Sequence, residues 1–196
     1  MKYNIKSFFS IAVFSVVITF VFCFMTGCSN KTDIDTLTKI DSYQEQYFKI
    51  IKRNDLFLQL YSSDNYDKDI EDLKNLYNKV VSEINPNCEF LQKYNELEQK
   101  YAENTGGNTF EINEFAQNHY NAVDKLLNDT YKAVRLKIPQ DDFNKLVQSE
   151  LNWLKEVDEY KNVYDKQGYG TIGGLIYLNY QIDMRNFRTL LLMLYL

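Results

Sequence analysis

The scarcity of helix breakers, and the way they cluster, limits what this chain can fold into more than any other feature. Only 2 Pro and 7 Gly occur in 196 residues. With a few polar turn residues they mark five breaks, at Ser62-Ser63-Asp64-Asn65, Pro86, Asn104-Thr105-Gly106-Gly107-Asn108, Pro139 and Gly168-Tyr169-Gly170. Between the breaks, apolar residues recur at spacings of three and four, the period of a helix with one buried stripe. An all-β sandwich needs a turn signal about every ten positions and does not fit. Disorder is excluded by a 45% hydrophobic and 15% aromatic composition. The fold class is all-α, a bundle of antiparallel helical hairpins built from six helical stretches.

Three stretches carry the clearest stripes. From Phe110 to Lys137, the positions Ile112, Phe115, Ala116, Val123, Leu126, Leu127, Tyr131, Val134 and Ile138 share one face, with Thr109 as the expected N-cap. From Gln140 to Lys166 the stripe is Phe143, Leu146, Val147, Trp153, Leu154, Val157 and Tyr164. A last helix from Thr171 onwards ends in Leu190–Leu196, a run far too short to span a bilayer and better read as packing. Residues 33–103 are helical but more polar, with Leu56, Leu60, Leu73, Leu76, Val80, Ile84, Leu91 and Leu97 as core positions. The segments Tyr77–Phe90 and Tyr131–Phe143 share a helix, proline turn, helix pattern.

The N-terminus reads as an address rather than as part of the fold. Lys2 and Lys6 precede an uncharged run from Phe8 to Met25, followed by Thr26, Gly27 and Cys28. Small residues before a cysteine suit a lipoprotein signal, with Met25 standing where Leu is usual. Residues 1–27 are expected to be removed and Cys28 lipidated. Residues 28–32 then form a short tether, 33–108 an N-terminal helical region and 109–196 a second helical domain, held on the extracytoplasmic face of the cell membrane. Removing the two leader lysines leaves 20 basic against 27 acidic side chains, a net of −7. The full-length net charge of −5 lacks the basic footprint of a nucleic-acid binder.

Residues suited to chemistry are sparse. His119 is the single histidine and falls beside an apolar stripe, where a packed, hydrogen-bonded role is expected. No second His or placed Cys completes a zinc set, and no cofactor or metal is implied. Asp64, Asp67, Asp69 and Asp72 lack calcium-loop spacing and its glycine, so helix capping is the better reading. Glu156, Asp158 and Glu159 read as a solvated face, Cys88 as a small buried or turn-adjacent residue, and no glycine loop has a phosphate-binding context. An enzyme is not expected.

The stretch Asp124–Lys132, then Leu146, Trp153 and Asp158, resembles the LprI-type lysozyme-inhibitor family. Leu127-Asn128 three residues before Tyr131-Lys132, the later Trp153, and Gly170-Thr171 with Met184, Phe187, Arg188 and Leu191 carry the similarity over roughly residues 112–194. Val157 and Lys161 stand where that family has Arg and Cys, so its disulfide is absent. The resemblance implies a non-enzymatic binding protein that occludes the cleft of a basic lysozyme, or that engages another envelope protein. In that reading Leu127, Asn128, Tyr131, Trp153, Asp158 and Arg188 hold the domain together. Asn104 and Asn108 in one loop, and Gln167 and Tyr169 in another, are candidate contacts. The alternative, an envelope structural or interaction module, would show a broad apolar or aromatic patch on the helices of residues 33–103.

Overall fold

Each stretch between the expected breaks forms a helix. The computed structural model describes residues 36–53, 66–102, 108–166 and 170–196. Among the described residues there are six helices and no strand. They are α1 (Thr36–Arg53), α2 (Tyr66–Glu83), α3 (Glu89–Ala102), α4 (Thr109–Lys137), α5 (Gln140–Lys166) and α6 (Gly170–Met193). The expectations for Cys28, Leu56, Leu60, Asn104, Gln167 and Tyr169 lie outside the described residues, as does the Ser62–Asn65 break.

The helix ends follow from local chemistry. Ile138 precedes Pro139 and is extended, with φ −100° and ψ 153°, because the proline ring disfavours a helical residue before it. At the other proline, the Asn85 side chain accepts from the Asn87 N–H at 3.0 Å and its carbonyl accepts from the Cys88 N–H at 2.9 Å. Cys88 is a buried free thiol at that turn. The cap of α4 is Asn108 rather than Thr109. Its side-chain oxygen accepts from the N–H groups of Phe110 and Glu111, while Glu111 accepts from the Asn108 N–H at 2.8 Å. This reciprocal pair satisfies more of the orphan donors than a threonine one step later would.

Helix α6 organises the rest, touching all five other helices. From Tyr180 onwards it is buried nearly all round, and Tyr180, Met184, Phe187 and Leu190–Met193 have no exposed surface. The terminal leucine run therefore packs inside the bundle. Phe187 stacks on Tyr47 of α1 (centroids 4.3 Å apart, 14°) and meets Tyr77 of α2 at 5.0 Å. Tyr43 of α1 donates to Glu83 of α2 at 2.7 Å, and burial together with that carboxylate pushes its phenol up to about 12. Ile40, Tyr43, Tyr47, Phe48 and Ile51 form a core stripe on α1. Their three-and-four spacing is visible in the sequence, although tyrosines and intervening charges make the segment look polar. No helix among the described residues is long and apolar enough to cross a membrane.

Sequential pairs α1–α2, α3–α4 and α5–α6 pack closely, whereas the pairs flanking Pro86 and Pro139 do not. Helices α4 and α5 meet next to their proline, where the Tyr131 and Phe143 rings lie 5.4 Å apart. Beyond that contact each of the two rests on α6, and a cleft is left between them.

Candidate functional site

The α4–α5 cleft encloses about 290 Å³. Asp124, Leu127, Asn128 and Tyr131 line it from α4, and Val147, Glu150, Leu151, Trp153 and Leu154 from α5, with Arg185 contributed by α6. The first four lie at i, i+3, i+4 and i+7 on α4, so one helix face presents them all. Asn128 donates to the Asp124 carbonyl at 2.8 Å and to its carboxylate at 3.0 Å. That carboxylate also accepts from Arg185 Nε at 2.8 Å, and the Arg185 guanidinium lies 4.5 Å from the Tyr120 ring centroid. Asn128 thus steadies an ion pair at the wall of the cleft.

Beneath the cleft runs a buried polar chain. Arg188 has no exposed surface, and its Nε and Nη2 donate to Glu150 Oε1 at 2.8 and 2.7 Å. Its Nη2 also donates to Ser149 Oγ at 2.9 Å, and Ser149 donates to Asp41 of α1 at 2.6 Å. The guanidinium lies 5.9 Å from the centroid of the Trp153 ring, and Arg188 Nη1 has no partner. One arginine on α6 therefore ties α5 and, through Ser149, α1 into a fixed register. Burial, then the nearby Glu150 charge, raises the Tyr131 hydroxyl above the usual phenol range, so it faces the cleft neutral at physiological pH.

Of the six residues singled out by the resemblance, Leu127, Asn128, Tyr131 and Trp153 gather at this cleft, and Arg188 lies below it. Asp158 is exposed and does not line it. Asn108 serves as the cap of α4. Leu154, expected in the core stripe, is 44% exposed, and Leu151 beside it is 55% exposed. The reason is the open gap: α4 does not close over this part of α5. Sequence reasoning missed Ser149, Glu150 and Arg185. The signal was the pair of arginines in the most apolar helix, since a charge carried into a core demands a partner.

A second polar cluster lies between α3, α4 and α6. His119 stacks on Tyr101 (4.2 Å, 8°), and its Nε2 lies 3.4 Å from Glu98 Oε1, which also accepts from Asn186 Nδ2 at 2.8 Å. His119 is packed and partnered, as its place beside the stripe implied. Asp183 lies close by, and burial followed by the Glu98 charge holds its carboxyl well above the usual carboxylate range. Among the described residues, no group of three or more His, Cys, Asp or Glu gathers as a metal site.

No curated protein and no solved structure gives a significant match to this chain. The family model described as Lysozyme inhibitor LprI matches residues 100–192, from the end of α3 to the penultimate residue of α6. It is thus the C-terminal half of the chain, the half that builds both walls and the floor of the cleft, that shares the LprI lysozyme-inhibitor pattern.

Proposed function

We propose that this is a lipid-anchored binding protein of the extracytoplasmic face, whose C-terminal domain occludes a basic lysozyme by steric contact. The observation that carries the reading is the LprI match over residues 100–192, the segment that forms the cleft and α5. Two physical features support it. Helix α5 has the largest acidic excess of the six, seven carboxylates against four lysines. It also presents Leu151 and Leu154 to solvent beside the cleft. An apolar crest flanked by carboxylates suits a cationic partner surface with a hydrophobic pocket, and the charge speeds encounter. The exposed large apolar side chains among the described residues are Phe110, Leu136, Leu151 and Leu154, all on α4 and α5. The described residues of 33–103 contribute none of them, and residues 54–65 lie outside the described residues.

The test is a titration of the full chain in mild detergent against a C-type lysozyme, reading cell-wall lysis and direct binding. Saturable binding with loss of lysis, weakened by Leu151→Asp with Leu154→Asp, is the expected result. Unchanged lysis and no binding would overturn the reading for that lysozyme class.

A further inference from the structure

The contacts between helices bring the start of α1 to a particular end of the bundle. Lys39, near that start, pairs with Glu83, the last residue of α2, at 2.6 Å. Asp41 accepts from Ser149 in the first half of α5. The Tyr131–Phe143 contact holds the end of α4 against the start of α5, and Lys137, the last residue of α4, donates to the backbone oxygen of Leu196. The start of α1, the ends of α2 and α4, the start of α5 and Leu196 therefore share one end. Leu136, in the last turn of α4, is 89% exposed there, more than any other large apolar side chain described. It stands two residues from both Val134 and Ile138 of the α4 stripe, about 200° of helical rotation, and so points away from the core. Arg135 and Lys137 flank it, both exposed, and Leu194, Tyr195 and Leu196 add partly exposed apolar surface.

A lone exposed leucine needs no explanation by itself. Two observations give this one an occupant. The first is chain length: Cys28, the expected attachment point, is eight residues before Thr36, a reach of at most about 29 Å, so a membrane that holds Cys28 lies within that distance of this end. The second is a contrast within α4. Phe110, 74% exposed, stands about 39 Å away at the opposite end of the helix, beside the carboxylate of Glu111, whereas Leu136 stands between two cations. At a lipid interface an apolar side chain enters the acyl boundary while arginine and lysine extend their charged ends to the phosphates. Of the carboxylates at this end, Glu83 and Asp142 are paired with Lys39 and Lys145, and Asp141 is exposed to stay in headgroup water. We propose that this end of the bundle docks on the lipid surface, with Leu136 inserted at the acyl boundary and Arg135 and Lys137 at headgroup level. The bundle then stands on the membrane, with the Phe110 end of α4 pointing away from it.

This proposal rests on the membrane attachment inferred above and is independent of lysozyme binding. Its test is the full chain reconstituted in phosphatidylcholine–phosphatidylglycerol vesicles, with and without bromine in the upper part of the acyl chains. The variants are Leu136→Trp and Phe110→Trp, both at exposed positions, checked against the parent by far-ultraviolet circular dichroism. Trp153, the single tryptophan of the sequence and 4% exposed, gives the background emission to be subtracted. Brominated lipid is expected to quench the emission added at position 136 and to leave that added at position 110 unchanged. Flotation of the parent with the vesicles reads attachment separately. Flotation without quenching at position 136, or with equal quenching at both positions, would overturn the docking and leave the attachment standing. Absence of flotation would overturn both.

Discussion

The Arg188–Glu150 pair can be taken apart in a way that yields an asymmetric prediction. Arg188 is fully buried, whereas the Glu150 side chain keeps 15% exposure at the cleft. Replacing Glu150 by Leu leaves a guanidinium that cannot lose its proton, held only by Ser149 and the Trp153 ring. Removing one partner of a buried pair costs about 3–5 kcal/mol, and Glu150→Leu is expected in that range. Arg188→Met leaves a carboxylate that can take up a proton or turn toward water, so a smaller loss of about 2–3 kcal/mol is expected. The double variant removes both charges and is expected to lie within about 1–2 kcal/mol of the parent, since well-packed apolar replacements of buried pairs are often neutral. The assay is urea unfolding followed by Trp153 emission and by far-ultraviolet circular dichroism, with equal m-values as the condition for comparison. Single-variant losses that add, with a coupling under about 0.5 kcal/mol, would refute a buried, mutually dependent pair.

Other consequences follow from particular residues. Because the folded Asp183 carboxyl titrates above its ordinary range, through burial and then Glu98, the folded state holds its proton more tightly than the unfolded state. That contribution is complete below the ordinary aspartate pKa of about 4 and is lost as pH rises through the folded value. Asp183→Asn is therefore expected to raise the melting temperature relative to the parent increasingly as pH rises from about 4 toward neutrality. Asn108→Ala removes the two hydrogen bonds accepted by the side chain of the α4 cap and is expected to cost about 1 kcal/mol in chemical unfolding. Phe187→Ala empties the contact shared by Tyr47 and Tyr77 and is expected to cost about 3–5 kcal/mol in the same assay.

How far the sequence carries the structure depends on the range of the interaction concerned. Pro139 punctuates the chain locally, and the helices on either side of it begin and end within a residue of expectation. The α1 stripe was legible in principle at Ile40, Tyr43, Tyr47, Phe48 and Ile51, but its tyrosines interrupt the aliphatic signal that periodicity reads most easily. Leu154 fits its stripe and is nonetheless exposed, because which side of a helix stays open depends on the helices around it. Likewise Ser149 meets a residue 108 positions away and Arg188 meets Glu150 across 38. Nothing in a local period encodes such distant pairings. The resemblance located Leu127, Asn128, Tyr131 and Trp153, and the structure supplies what they share, a cleft between two helices that a proline turn joins but does not close.

The most direct test of the central claim is inhibition itself. Cell-wall lysis by a C-type lysozyme would be measured against rising concentrations of the full chain at low and at physiological salt. The parent is compared with a variant carrying Leu151→Asp and Leu154→Asp, two exposed positions whose change leaves the core untouched. The account predicts saturable inhibition by the parent, weaker at the higher salt because opposite charges steer the encounter, and its loss in the variant. Lysis that proceeds at the same rate with and without the parent protein would contradict it.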